Sequence, residues 1–318
     1  MESSVTDLCY MTATEAITLF KARKLSPVDL MTAVIARCEQ VNPELNAITY
    51  SFYERSLEKA RSAEKKYMKT DGRLRPLEGI PIAIKDFHPV KGEITTFGSK
   101  VHDGARAEFT APTVQRLFNA GAIMHMRTTT PEFACYAVTH SPLWGITRNP
   151  WNLNFSPGGS SGGAGAAVAS GMTTLADGTD GGGSIRIPAS ASGIFGFKPP
   201  FGRNPTGILP TNQEWLLHFG PMSRSVADGA LMQNVMSGPH VADITTLRNR
   251  VRIPQHFQDI KGWKIAFSMD LGYKEIDHEV QRNTLAAVEV FRDLGCQVEA
   301  VELGWDLGVS DAWLSRWE

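Results

Sequence analysis

Apolar residues recur at helical spacing through the first 70 positions. Thr12-x-x-Glu15 has the form of a capping box and opens a predicted helix through about Lys24. Ser26-Pro27-x-Asp29 caps a second helix, with Leu30, Val34, Cys38 and Val41 on one face and a predicted stop at Asn42-Pro43. A third, charged helix is predicted over 54–68. At Leu77 the pattern changes. Ile80-Pro81-Ile82-Ala83-Ile84 is an unbroken apolar run and reads as a buried strand ending at Lys85-Asp86. Helix and strand signals then alternate. Helices are predicted over 112–120 (stopped at Gly121), 162–170 (small residues, stopped at Gly171), 225–237 (Leu231 and Val235 inward) and 277–294 (stopped at Gly295). Strands are predicted over 122–126, 264–267 and 296–301. Nothing after 301 reads as further helix or strand. The alternation implies an α/β fold: a mixed, mostly parallel twisted sheet covered by helices on both faces. With no internal repeat and no separating linker, the chain reads as a single domain, with a helical part at 1–75, a core at 76–240 and the start of a C-terminal part at 241–318.

Composition narrows the class. Of 318 residues, 42% are hydrophobic and 20% charged, which excludes a disordered chain. The 32 Lys+Arg balance 33 Asp+Glu and no block of like charge occurs, so neither a nucleic-acid footprint nor a polybasic membrane patch is expected. No apolar stretch approaches the roughly 18 residues of a membrane span. The start, Met1-Glu-Ser-Ser-Val-Thr-Asp, has neither a basic nor an apolar leader region, and a cytoplasmic location is expected. Cys9, Cys38, Cys135 and Cys296 form no C-x-x-C pair, and Cys38 and Cys296 read as buried small hydrophobes. The eight histidines show no ligand spacing, so no metal and no cofactor are expected.

One segment departs from this average. Almost half of the 29 glycines lie between positions 156 and 207, among a cluster of serines and alongside helix and strand signals. Glycine this dense inside ordered structure points to backbone approaching a ligand. Three chemistries compete for it. A phosphate loop is poorly matched, because Gly163-x-Gly165-x-x-Val168 lacks the last glycine and follows no strand. An α/β-hydrolase elbow fits Gly159-Ser160-Ser161-Gly162-Gly163, with Ser161 as nucleophile of an esterase, but the preceding W-N-L-N-F-S-P-G is not the apolar strand an elbow needs. The third reading uses two serines and a lysine. Gly181-Gly182-Gly183-Ser184 offers successive N–H groups beside a hydroxyl, Ser160 lies in a second glycine-rich turn, and Lys85 ends a buried strand. A desolvated lysine can fall to a pKa of ~7–8 and act as a base. Taken alone, Lys85 reads as an ion-paired strand-end lysine.

The constellation resembles the amidase signature family. The matching runs are Ser156-Pro-Gly-Gly-Ser-Ser-Gly-Gly163, Asp177-Gly-Thr-Asp-Gly-Gly-Gly-Ser-Ile-Arg-Ile-Pro188, Gly193-Ile-Phe-Gly-Phe-Lys-Pro199 and Gly79-Ile-Pro-Ile-Ala-Ile-Lys-Asp86, with Thr130-Pro-Glu-Phe133 and Gly220-Pro-Met-Ser-Arg-Ser-Val-Ala-Asp228 in support. The resemblance implies an amidase acting through an acyl-enzyme: Ser184 as nucleophile, Ser160 (held by a cis peptide) as relay and Lys85 as base. It further implies the N–H groups of Gly181, Gly182, Gly183 and Ser184 as oxyanion donors, and Thr179, Asp180 and Arg186 as a supporting shell. Arg186 reads equally as a structural salt bridge. The implied partner is a small-molecule amide substrate, with no nucleic acid and no membrane; a homodimer stays open. An A-type subunit of a tRNA-dependent amidotransferase shares these residues and is the alternative, beside a non-catalytic remnant. Phe133, Trp144, Trp215, Leu216, Leu217 and Phe219 are candidates for an apolar acyl wall, or equally core residues. Two departures stand out. Gly181 occupies a position where the family has a β-branched residue, and family members continue well beyond Glu318, so the fold is expected to be incomplete at its C-terminus, with Trp305, Leu307, Trp313, Leu314 and Trp317 left uncovered.

Overall fold

The computed structural model describes residues 5–69, 73–207, 216–255 and 257–315. They form two compact units, 1–255 and 256–318. In the first, α1 (Val5–Tyr10), α2 (Ala13–Lys21) and α3 (Pro27–Leu45) precede β1 (Ile48–Ser51) and α4 (Tyr53–Met68). Then come β2 (Pro81–Lys85), α5 (Pro112–Asn119), β3 (Ile123–Thr128) and a short hairpin, β4 (His140–Ser141) with β5 (Gly145–Ile146). The glycine-rich region supplies α6 (Gly162–Ala169), β6 (Leu175–Asp180), α7 (Arg186–Ser192) and β7 (Phe195–Gly196); β8 (His218–Ser223) and α8 (Val226–Met236) follow.

The caps work as their residues dictate. Thr12 accepts from the Glu15 N–H, and Ser26 and Asp29 complete a reciprocal capping box on α3. The stop predicted at Asn42-Pro43 is overrun, and α3 continues to Leu45. A proline so near the end forfeits a single helical hydrogen bond, and the Asn42 carbonyl and Oδ1 close the turn by accepting from Asn46, Ala47 and Ile48 N–H groups. On α8 the buried residues are Asp228, Gly229, Ala230, Met232, Gln233 and Met236, while Leu231 and Val235 are half-buried against the core.

The main sheet has the order β1-β3-β2-β6-β8-β7. Its centre, β3-β2-β6, is parallel; β1, β8 and β7 pair antiparallel on the flanks. Successive residues feed opposite faces, as strand geometry requires. Ile82, Ile84 and Leu175 enter a core shared with α2, α4, α5 and α8, whereas Ala83 and Ala176 enter a second core built on α6 and the end of α3. Alanine on the second face lets the glycine- and alanine-rich α6 lie close to the sheet.

In the second unit, β9 (Lys264–Phe267), α9 (His278–Asp293) and β10 (Gln297–Ala300) form a βαβ unit with the strands parallel, Gln297 opposite Lys264 and Ala300 opposite Phe267. A short helix, α10 (Gly308–Leu314), follows where the sequence pattern predicts no element. Of the apolar tail residues, Trp305 and Leu307 are exposed; Trp317 lies outside the described residues.

Candidate active site

The parallel strands β2, β3 and β6 all run toward one edge of the sheet, and in open α/β sheets that edge holds the ligand site. The apolar run of β2 delivers Lys85 to this edge, fully buried. Lys85 Nζ reaches Ser160 Oγ at 2.7 Å, Ser161 Oγ at 2.9 Å and Thr179 Oγ1 at 2.7 Å. Burial drives its pKa down to about 7, against the opposing pull of the Asp177 and Asp180 charges. A lysine in this state exchanges its proton readily near neutral pH.

Ser160 and Ser161 arrive on the turn that starts α6. The Gly159–Ser160 peptide is cis. A Cβ on Gly163 would lie 2.5–2.7 Å from the Thr129 backbone, so glycine is what allows α6 to seat its first turn against the end of β3. The esterase reading that uses Ser161 fails here. No strand leads into the turn from 151, and Ser161 Oγ is committed: besides Lys85, it accepts from the Thr179 N–H at 3.2 Å and donates to the Thr179 carbonyl at 3.3 Å. Ser161 joins β2 to β6 and is sealed from solvent.

The loop bearing Ser184 is organised by Asp180. Its carboxylate accepts from the N–H groups of Gly183, Ile185 and Arg186, and from Arg186 Nε and Nη2 at 2.9 Å each. Burial pushes the Asp180 carboxyl up, but the Arg186 hydrogen bonds and charge outweigh it and hold it below the usual carboxylate range. This corrects one expected donor. The Gly183 N–H points inward to Asp180 and is not free for an oxyanion. The N–H groups of Gly181, Gly182 and Ser184 have no partner among the described residues. Arg186 takes the structural salt-bridge role, its side chain more than half exposed. Ser184 is half-buried, its hydroxyl bonded to none of the described residues, and its carbonyl accepts from the Ser161 N–H at 3.1 Å, which ties the two serine loops together.

The candidates for an acyl wall, or equally for the core, are divided between interior and surface among the described residues. Phe219 belongs to the core, its ring 4.4 Å from that of His88. Trp144 donates Nε1 to Thr96 Oγ1 at 3.0 Å and meets Tyr50 edge-on. Phe133 is exposed, Leu216 and Leu217 are half-buried, and Trp215 lies outside the described residues.

Several buried charged groups to which the sequence motifs assign no role surround Lys85. Asp177 Oδ1 accepts the Lys85 backbone N–H at 2.7 Å, and Oδ2 lies 2.5 Å from His88 Nδ1, at an angle outside hydrogen-bond geometry. Arg127, fully buried, donates to the carbonyls of Lys85, His88 and Ile94 and lies 3.4 Å from Asp86. The signal available was modest: Asp177 opens the D-G-T-D run, and Asp86 and His88 closely follow the lysine. Among the described residues no cluster of His, Cys, Asp or Glu could hold a metal ion, and no helix is long and apolar enough to cross a membrane.

The amidase family model matches residues 29–306. The chain belongs to the amidase signature family. It is 38% identical to an acylamidase of Rhodococcus erythropolis over 315 residues, covering 98% of this chain and 65% of that protein. It is 36% identical to the A subunit of the glutamyl-tRNA(Gln) amidotransferase of Chloroflexus aggregans over 303 residues, covering 94% of this chain and 62% of that one. Among solved structures, a bacterial aryl acylamidase of the same family superposes with a TM-score of 0.89 at 34% identity, over 96% of this chain and 64% of that one. A 6-aminohexanoate cyclic dimer hydrolase superposes with a TM-score of 0.83 at 32% identity, over 92% and 61%. The chain thus spans somewhat under two thirds of the length of these relatives.

Proposed function

We propose that this chain carries the machinery of an amide hydrolase working through an acyl-enzyme on Ser184. The observation that carries the reading is the 2.7 Å contact between Lys85 Nζ and Ser160 Oγ at a fully buried lysine whose pKa lies near neutrality. As the free amine, Lys85 takes the Ser160 proton while Ser160 takes that of Ser184. Ser184 Oγ attacks the amide carbonyl carbon, and the oxyanion is met by the N–H groups of Gly181, Gly182 and Ser184. The C–N bond then breaks as the proton returns from Lys85 through Ser160 to the leaving nitrogen. Water attacks the acyl ester by the same relay and releases the acid. Thr179 holds Nζ in place, while Asp180 and Arg186 hold the 181–184 loop.

The names of the acylamidase and hydrolase relatives support a carboxylic amide as the substrate class. Similarity to the A subunits of amidotransferases supports a second reading, the same acyl chemistry with ammonia handed to another acceptor. A fluorophosphonate probe tests the nucleophile: labelling of Ser184, lost in Ser184→Ala with the fold intact, is expected, and labelling at Ser161 overturns it. Ammonia release from simple aliphatic and aryl amides separates a hydrolase from an amidotransferase component, which would need its partners.

A further inference from the structure

Among the buried charges around Lys85 is a group that the relay does not use. From β2 and the residues that follow it come Lys85, Asp86 and His88; from β3, Arg127; from β6, Asp177 and Asp180; from α7, Arg186; from β8, His218. Two carboxylates have a cation of their own. Arg127 lies 3.4 Å from Asp86, and Arg186 forks onto Asp180. His218 is engaged through Nδ1 with the Leu216 carbonyl at 2.6 Å. Among the described residues Asp177 is left with no arginine, yet it is fully buried, as is His88. Its two oxygens face the Lys85 backbone N–H at 2.7 Å and His88 Nδ1 at 2.5 Å. His88 is itself locked, its ring against Phe219 and its carbonyl accepting from Arg127 Nη2 at 2.7 Å.

We propose that Asp177, oriented by His88, is a positioning residue for the reaction: it fixes the end of β2 and serves as the counter-charge of the Lys85 ammonium. A buried carboxylate without a partner is unfavourable, and so is a buried ammonium. Each time Lys85 takes the proton of Ser160, the two charges neutralise one another. The pair therefore stabilises the protonated lysine that the acyl-transfer step creates, while beside the resting amine Asp177 accepts, among the described residues, only the Lys85 backbone N–H. His88, its ring locked and its Nδ1 2.5 Å from Oδ2, fixes where the carboxylate sits. The proposal rests on the reading of Lys85 as the base.

The test reads Lys85 directly, on the whole chain. Lysines labelled with ¹³C at Cε are titrated by NMR, and the Lys85 signal is assigned by its loss in Lys85→Arg and Lys85→Met. Asp177→Asn keeps the shape and still accepts the β2 N–H; its Lys85 midpoint is expected about one pH unit lower than in the wild type, the smaller end of the effect of an adjacent opposite charge. His88→Leu, which removes the ring nitrogen facing Oδ2, is expected to move it the same way. His88→Gln, which returns a polar group to face Oδ2, is expected to restore it. The rate of fluorophosphonate labelling should track the midpoint, with its acid limb displaced to lower pH in Asp177→Asn. A Lys85 midpoint unchanged in Asp177→Asn, or a uniform loss of labelling at every pH with no displacement, overturns the proposal. Undiminished labelling in Lys85→Met instead overturns the relay itself, so the two failures are distinguishable.

Discussion

Replacing Lys85 with methionine separates what the lysine does for chemistry from what it does to the fold. Methionine has a similar reach and no charge, so the variant keeps the packing of the β2 end and removes the titration. Lysine in the unfolded chain has its ordinary value of 10.5; in the fold burial holds it at about 7. Between those values the unfolded chain binds more protons than the folded one, so wild-type stability gains from rising pH through that window and the gain is absent below about pH 7. Integrating the linkage relation from pH 7 to pH 10 gives about 3 kcal/mol for this single group. The methionine variant lacks that increment. Its stability relative to wild type should therefore fall by about 3 kcal/mol across the same interval.

Losing three hydrogen-bonded contacts, to Ser160, Ser161 and Thr179, also lowers the variant's stability, by roughly 1 kcal/mol each. That loss is the same at every pH, so the slope and not the offset is the diagnostic. Urea unfolding of both proteins at pH 7, 8, 9 and 10 measures it. A stability difference that is flat with pH would mean that Lys85 titrates as an ordinary lysine, and the case for a neutral base at this site would collapse.

Three further outcomes follow from named contacts. Ser161→Ala removes a hydroxyl that braces β2 against β6, and should lower stability by about 1–3 kcal/mol while leaving fluorophosphonate labelling within about tenfold, whereas Ser160→Ala should abolish labelling; thermal melts and labelling rates check both. Gly163→Ala should destabilise by several kcal/mol although alanine favours helix by about 1 kcal/mol, because its Cβ meets the Thr129 backbone, while Gly181→Val, into open space, should change the melting temperature little; a stable Gly163→Ala protein would show that α6 can slide. Arg127→Met leaves Asp86 buried without a counter-ion and should cost about 3–5 kcal/mol in urea unfolding, and near-wild-type stability would mean that the carboxyl is already protonated.

The elements that read correctly are those with a local cause. β2 is a run of apolar residues, α5 runs from a proline to a glycine stop, and β9, α9 and β10 carry the alternation of a βαβ unit. Each is decided by residues a few positions apart. β8 was not legible, because His218-Phe-Gly-Pro-Met-Ser223 contains a glycine and a proline that local rules exclude from strands; it exists because β6 pairs with it along its whole length and β7 closes its other edge. The family resemblance implies Lys85, Ser160 and Ser184 as the catalytic set with Thr179 in support; in the structure Lys85 Nζ contacts Ser160 Oγ and Thr179 Oγ1.

β6 shows why the rest of the site was hidden. No element is predicted from the sequence over Leu175-Ala-Asp-Gly-Thr-Asp180, since aspartate and glycine are depleted in strands, yet all six residues are buried. The penalty that local rules assign to these side chains is the penalty for polar atoms left without partners. Here the partners exist. Asp177 is met by the Lys85 N–H, Thr179 Oγ1 by Lys85 Nζ, and Asp180 by the turn that follows and by Arg186. The first two lie 92 and 94 positions away in the chain, beyond the reach of any window of local pattern. A central strand can carry three polar side chains only where the neighbouring strand brings the complementary groups to its edge, and that arrangement is itself the candidate site. Strand prediction therefore fails at β6 for the same physical reason that the site forms there.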